Sequence, residues 1–252
     1  MIPCRSPREL ERLRRSGLVV YEVLREVTAA VAPGVSTWDL ETVAERAIQE
    51  RGATPAFRGY RGYPCVLCAS VNEEVVHGIP TRKRVLRSGD VVSLDCGVVM
   101  DGYYGDSATT VVVGGEAELP PAVQRLLAAT RESLAAGIAC ARPGKFLGDI
   151  SHAVQRHVEA SGFSVVREFV GHGIGTHLHE EPQIPNYGAP GAGPKLREGM
   201  VLAIEPMVNQ GSAEVRVLGD GWTAVTADGG CSAHYEHTVA ITKEGPWILT
   251  QP

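Results

Sequence analysis

The spacing of apolar residues near the N-terminus predicts two amphipathic helices. Ser6-Pro7-Arg8-Glu9 combines a capping serine, a first-turn proline and a reciprocating glutamate, and apolar residues follow at helical intervals. This first helix is expected to end before Pro33-Gly34. The second is predicted to begin at Ser36, where Asp39 completes a similar cap, and to end at Gly52.

Three apolar runs rich in β-formers predict strands after these helices. They span residues 65–71, 91–100 and 103–113. Asp101-Gly102 separates the last two runs and is typical of a two-residue hairpin turn. Counting outward from this turn pairs Gly97 with Asp106. Strand alternation then places Asp95 and Asp106 on one face as diagonal neighbours, roughly 7 to 8 Å apart, unless a bulge near Gly105 breaks the register.

Motifs in the first half of the chain recur about 110 residues later. The recurring segments are Pro33-Gly34 with Pro143-Gly144, and residues 86–91 with 196–201. The same register aligns Asp95 with Glu205. Because the offset is constant over separated segments, it indicates an internal duplication. We therefore expect a single domain over residues 1–252, with two similar αβ halves, approximately 6–115 and 120–252, related by a pseudo-twofold axis.

Four carboxylates lie within the apolar runs of the two halves. They are Asp95 and Asp106 in the first half, and Glu205 and Glu236 in the second. Any one of them alone would most often be a solvent-facing side chain. Four acids embedded in apolar runs need compensation on burial, and bound metal ions supply it. The longer segment between Glu205 and Glu236 holds Trp222 and predicts an inserted hairpin or loop.

A glycine-rich segment, Gly171-His172-Gly173-Ile174-Gly175, offers a nitrogen ligand in His172. Its glycines are expected to let the backbone approach a metal or a substrate closely. A phosphate cradle is the alternative, but the segment lacks the Lys-Ser/Thr ending of a P-loop. Oxygen-rich coordination with one imidazole favours Mn, Co, Fe or Zn. The pattern as a whole predicts hydrolysis by water that two divalent ions activate.

Composition narrows the class of protein further. The chain of 252 residues has 44% hydrophobic and 21% charged residues, a composition typical of globular proteins. No apolar run reaches the length needed to span a bilayer. The net charge of −5 gives no reason to expect nucleic acid as the main partner, and Arg82-Lys83-Arg84 is interpreted as solvated surface. The N-terminus lacks the apolar core of a signal peptide, which predicts a cytoplasmic location. Cys65-x-x-Cys68 is interpreted as buried packing or pocket lining rather than a redox motif.

Together the motifs resemble those of type I methionine aminopeptidases, which have the pita-bread fold. The matching segments are Val76-His77-Gly78-Ile79-Pro80, Asp95, Gly105-Asp106, Gly171-His172-Gly173-Ile174-Gly175, His179-Glu180-Glu181-Pro182, Ala203-Ile204-Glu205-Pro206-Met207 and Tyr235-Glu236-His237-Thr238. The resemblance covers essentially the whole chain. It implies an α/β (α+β) fold whose halves surround a dinuclear metal site. It also implies removal of the initiator methionine from new polypeptides when the second residue is small.

The resemblance also implies a role for each site residue. Asp106 and Glu236 would bridge two divalent ions (Co, Mn, Fe or Zn), Asp95 would complete one, and His172 with Glu205 would complete the other. Glu205 would also shuttle the proton, and His77 and His179 would contact the substrate around the scissile amide. The methionine pocket would consist of Tyr60, Tyr63, Cys68, Leu178 and Trp222. Leu178 replaces the more usual phenylalanine, so it bears on the tightness of methionine selection.

Two histidines compete for the second substrate contact. If residues 177–179 are extended, His177 and His179 point to the same side, and alternation alone does not choose between them. The motif register selects His179, which directly precedes Glu180-Glu181-Pro182.

The resemblance has consequences for partners and leaves two alternatives. Expected partners are nascent polypeptide N-termini and the ribosome near its exit tunnel; neither nucleic acid nor a membrane is required, and a monomer is expected. Creatinase, prolidase and aminopeptidase P share the catalytic fold but carry an additional N-terminal domain for which this chain has no room. Some pita-bread proteins have lost their ligands and serve as binding modules, whereas all five ligand positions are filled here.

Overall fold

The computed structural model describes residues 2–252 as a mixed αβ structure. Its helices are α1 (Pro7–Ala30), α2 (Thr37–Glu50), α3 (Pro121–Cys140) and α4 (Leu147–Ala160), with short 3-10 turns at Tyr60–Gly62 and Glu116–Glu118. Its strands are β1 (Thr54–Pro55), β2 (Leu67–Val71), β3 (Glu74–Val76), β4 (Val91–Met100), β5 (Tyr103–Val112), β6 (Ser164–Val165), β7 (Gly171–Gly173), β8 (Glu180–Ile184), β9 (Val201–Ile204), β10 (Met207–Asn209), β11 (Val215–Val217), β12 (Ala224–Thr226), β13 (Ser232–His234), β14 (His237–Thr242) and β15 (Gly245–Ile248). Within residues 2–252, no helix has the length and apolarity needed to cross a bilayer.

The two predicted N-terminal helices are confirmed together with their caps. The Ser6 hydroxyl accepts from the Glu9 backbone N–H, and the Glu9 carboxylate accepts from the Ser6 backbone N–H at 2.8 Å. Ser36 and Asp39 repeat this exchange at the start of α2. Each exchange satisfies backbone donors that a helix start leaves free.

The β4–β5 hairpin has the predicted register. Gly97 pairs with Asp106 and Asp95 with Ala108, and the ladder runs through Gly105 without a shift. Asp101 and Gly102 both have positive φ, 51° and 77°, as a type I′ turn requires. The sequence therefore determines locally how the first two carboxylates are arranged.

The first predicted strand begins two residues later than expected, at Leu67. The reason is a buried carboxylate on α2: Glu41 accepts from the backbone N–H groups of Val66 and Leu67, at 2.8 and 2.9 Å. These donors are satisfied by a side chain rather than by a strand partner. The contact fixes the start of β2, which carries Cys68.

Equivalent elements recur at the offset found in the sequence. Helices α2 and α4 each have 14 residues and begin 110 positions apart. The backbone bond from Gly34 N–H to Leu86 O (2.8 Å) has its counterpart from Gly144 N–H to Leu196 O (3.0 Å). These repeated contacts support the proposed duplication.

The two halves meet along β5 and the segment that leads into β14. One apolar core lies beneath α1 and α2, and another beneath α3 and α4. Across the seam, the Ser107 hydroxyl donates to Glu236 O at 2.6 Å and the Thr238 hydroxyl donates to Asp106 O at 2.7 Å. The backbones that carry Asp106 and Glu236 are thereby held side by side.

Candidate metal centre and substrate cavity

The five predicted ligand side chains line one cavity at the seam. They are Asp95 from β4, Asp106 from β5, His172 from β7, Glu205 directly after β9, and Glu236 directly before β14. Asp106, His172 and Glu236 each offer a ligand atom, and these atoms lie within 4.8 Å of one another. The Nε2 atom of His172 is 3.8 Å from Asp106 Oδ2 and 3.6 Å from Glu205 Oε1. The sequence-predicted set is thus brought together in space.

The protein leaves several carboxylate oxygens of this cluster buried without a hydrogen-bond partner. Burial, and then the negative charge of neighbouring acids, raises the pKa of Asp106 and Glu236 well above the ordinary value. Burial also raises the pKa of Asp95 and Glu205. Among the described residues, no hydrogen-bond partner reaches Asp95 Oδ1, Asp106 Oδ1 or Glu236 Oε1. Orphaned buried oxygens that repel one another fit a site for cations.

His172 presents a nitrogen suited to a metal. Its Nδ1 lies 3.0 Å from Gly173 O, and donation to that carbonyl leaves Nε2 as an acceptor facing the acids. Burial lowers the pKa of His172 to about 3. The imidazole is therefore neutral at neutral pH, which is the form that binds metal.

Two glycines beside His172 are required by the packing of the surrounding strands. A Cβ atom on Gly171 would collide with the backbone oxygen of Ala203, and one on Gly173 with that of Glu181. These glycines leave room for the close approach of neighbouring protein backbone, which a side chain would displace. They allow β7 to sit tightly between β8 and β9, which fixes the direction of His172.

One buried histidine of the site was not predicted from the sequence. His234 is 1% exposed, and its Nε2 lies 3.6 Å from Glu205 Oε2 without a hydrogen-bond partner among the described residues. It precedes Glu236 by two residues, and this spacing could have placed both side chains on one face. His234 adds a polar group beside Glu205.

The predicted substrate-contacting residues line the same cavity as the acids. They are Tyr60, Tyr63, Cys68, His77, Leu178, His179 and Trp222. Trp222 meets the ring of Tyr63 edge-on at 5.1 Å and that of His77 at 6.2 Å. Phe57 and Arg61 also line the cavity, although no sequence motif marked them. An apolar pocket therefore opens directly beside the carboxylates.

Two further expectations about the cavity wall are confirmed. Trp222 lies on the connection of the β11–β12 hairpin, as the longer second-half segment predicts. Cys65 and Cys68 are buried free thiols, and Cys68 lines the cavity, in agreement with packing and lining rather than redox use.

The chain around His179 is not extended, so His177 and His179 differ in position. Residues 175–179 form consecutive bends, because the Glu180 carboxylate accepts from the backbone N–H groups of Thr176 (2.8 Å) and His177 (3.1 Å). The His177 side chain is 80% exposed, whereas Leu178 is buried. His179 faces the cavity, with its Nδ1 2.8 Å from the Tyr60 hydroxyl oxygen.

Comparison with known proteins agrees with this arrangement of ligands. Residues 11–243 match the model of metallopeptidase family M24. The chain belongs to metallopeptidase family M24. It is 52% identical to methionine aminopeptidase 1 of Bacillus subtilis over 251 residues, which cover all of both chains. A crystal structure of methionine aminopeptidase from Thermotoga maritima is 49% identical, with a TM-score of 0.97 and full coverage of both chains.

A more distant solved structure shows the fold alone. The prolidase from Pyrococcus horikoshii superposes with a TM-score of 0.78 at 22% identity, and the match covers 98% of this chain and 63% of that one. The expected pita-bread fold is thus confirmed. Membership of the metallopeptidases also confirms that this is a metal-dependent hydrolase of peptide bonds, with divalent ions as cofactors.

Proposed function

We propose that the protein removes the N-terminal methionine from newly made polypeptides, preferentially when the second residue is small. The observation that carries this proposal is an apolar pocket, with a thiol and three aromatic rings, opening beside five clustered ligand side chains. Such a lining suits a thioether side chain. Relatives about half identical over the full chain, with the name methionine aminopeptidase, support the same substrate.

The five clustered side chains would hold two divalent ions. Asp106 and Glu236 would contact both ions, Asp95 would complete one coordination shell, and His172 with Glu205 would complete the other. The buried, unpartnered oxygens of Asp95, Asp106 and Glu236 and the neutral imidazole of His172 support this assignment. When bound, the ions would lower the pKa of water and polarise the scissile carbonyl.

The other side chains would bind the peptide and move the proton. The pocket of Tyr60, Tyr63, Cys68, Leu178 and Trp222 would take the methionine side chain. His77 and His179 would both donate hydrogen bonds around the scissile amide. His179 would donate to the scissile carbonyl and to the oxyanion that forms from it. Glu205, whose pKa burial raises, would accept the proton of the attacking water and pass it to the leaving amine.

The setting of this activity is part of the proposal. Nascent chains would be the substrates, in the cytoplasm and near the exit tunnel of the ribosome, and the enzyme would act as a monomer. The proposed methionine pocket and the acids line the same cavity, so a methionine side chain bound there would place the peptide bond that follows it beside the acids.

The function is tested by a peptide panel with controlled metal. We expect cleavage of Met-Ala-Ser, abolished by a chelator and restored by Mn, Co, Fe or Zn, because the acids need cations to bind and activate water. Xaa-Pro peptides should be spared. Mass spectrometry of the released free amino acid would show which peptides are cleaved. Full activity in metal-free protein would exclude the metal centre, and preferred cleavage of Xaa-Pro peptides would favour a prolidase-type enzyme.

Selection of methionine should depend on Trp222. We expect Trp222→Ala to raise KM for Met peptides and to reduce the preference for Met over Leu peptides, because the edge-on contact with Tyr63 closes the pocket. Metal affinity should change less than KM. Trp247→Ala is the matched control: it removes the same side chain from β15, outside the cavity. An unaltered Met preference in the Trp222 variant, or equal losses in both variants, would contradict this role.

A further inference from the structure

Tyr60 is in direct contact with His179. The two rings are stacked, with centroids 5.1 Å apart and planes inclined by 29°. The Tyr60 hydroxyl oxygen lies 2.8 Å from Nδ1 of His179. No hydrogen bond from the described residues reaches the opposite nitrogen, Nε2. Among the described residues, the His179 ring therefore has a hydrogen-bond partner at Nδ1 and none at Nε2.

We propose that Tyr60 is a positioning residue that donates its hydroxyl proton to Nδ1 of His179 and so holds His179 as the tautomer with its proton on Nε2. This rests on the proposed function, in which His179 donates a hydrogen bond to the substrate. A neutral imidazole has one N–H group, so it can donate from Nε2 only when Nδ1 is an acceptor. Tyr60 would thereby have a second role besides lining the methionine pocket.

The neighbouring charge favours this direction of donation. The guanidinium of Arg61 lies over the Tyr60 ring, 5.5 Å from its centroid. A cation on the ring face withdraws electron density from the phenol, which makes its O–H a better donor.

The backbone of the 3-10 turn supports a fixed position for Tyr60 and Arg61. Arg61 has φ of 49°, a conformation uncommon for a residue with a side chain, and Gly59 and Gly62 on either side also have positive φ. Strained backbone at a cavity wall often marks a functional constraint. Here it directs the phenol towards His179 and the guanidinium onto the phenol.

The first test reads the tautomer directly, by nitrogen NMR of histidine-labelled, zinc-loaded protein. We expect the proton of His179 on Nε2 in the wild type, and a mixture of tautomers in Tyr60→Phe, which keeps the ring and loses only the hydroxyl. Tyr63→Phe is the matched control. The Tyr63 hydroxyl lies 3.0 and 3.1 Å from the backbone oxygens of Leu67 and Gly78, so its loss should leave the His179 tautomer unchanged.

The second test asks whether Tyr60 acts through His179. Tyr60→Phe should lower kcat for Met-Ala-Ser about tenfold while KM stays within about threefold, because the pocket wall remains. In a His179→Ala background the same substitution should change kcat less than about twofold. Tyr63→Phe should instead have the same effect in both backgrounds.

Each outcome decides the proposal. A proton on Nδ1 in the wild type, a tautomer unchanged by Tyr60→Phe, or additive losses in the double variant would overturn it. If the wild type does not cleave Met peptides, the proposed function fails, and the NMR measurement still decides whether Tyr60 sets the tautomer.

Discussion

Replacing Asp106 by asparagine is expected to lower kcat/KM for Met-Ala-Ser by at least about 10³-fold, about 4 kcal/mol of barrier. Asp106 belongs to the cluster whose ligand atoms lie within 4.8 Å of one another, and its proposed place is between the two ions. An amide of the same shape loses the charge that holds both cations. Steady-state kinetics with saturating Mn would measure the loss, and a change below tenfold would remove Asp106 from the metal site.

The same substitution should not destabilise the metal-free protein. Asp106 is one of several buried acids that repel one another, and its Oδ1 has no partner among the described residues. Burial and the neighbouring acids disfavour the ionised form of Asp106, and asparagine has no ionised form, so the midpoint of urea unfolding should stay level or rise. Added metal should stabilise the wild type more than the variant, because binding to the folded state alone shifts the equilibrium.

Asp101→Asn is the matched control for this prediction. Asp101 lies in the turn of the same hairpin, is exposed, and has positive φ, which asparagine tolerates. Its activity and metal response should equal those of the wild type. Equal effects at Asp101 and Asp106 would show that the hairpin, rather than the cluster, is sensitive to the loss of charge.

The arrangement of Asp95 and Asp106 could be predicted because it depends on local chemistry. The Asp101-Gly102 turn fixes the hairpin register, and strand alternation then puts the two acids on one face. The repeat extended this reasoning to Glu205 in the second half. Turn chemistry and periodicity operate over neighbouring residues, so they can be read without knowing the rest of the fold.

Features that leave no periodic signal in the sequence, or that depend on contacts between distant segments, could not be predicted in this way. The bends at residues 175–179 arise from a carboxylate that binds backbone groups within its own loop, for which hydrophobic periodicity gives no signal. The close approach of neighbouring backbone to Gly171 and Gly173 could not be predicted, because the adjoining strands were unknown. Arg61 lines the cavity because it lies in a turn where its own φ is positive. Residues other than glycine rarely adopt positive φ, so the sequence does not reveal this turn.

The largest effect predicted for a residue that is not a metal ligand is at His179. His179→Ala should retain both metals and lose about 10² to 10³ in kcat, about 2.7 to 4 kcal/mol, the usual cost of removing a donor to an oxyanion. The ring lies at the cavity wall with its centroid 4.2 Å from that of His172, so its free Nε2 is close to the proposed reaction centre without being needed as a ligand.

His177→Ala is the matched control, because it removes the same side chain two residues away. His177 is 80% exposed and does not line the cavity, so its variant should stay within about tenfold of the wild-type kcat. Kinetics would be measured alongside metal content by elemental analysis of each purified variant. Greater damage at His177 than at His179 would mean that the wrong histidine has been assigned. Loss of metal from the His179 variant would instead mean that this residue helps to hold the ions, since the bends that turn His177 outward bring His179 against His172.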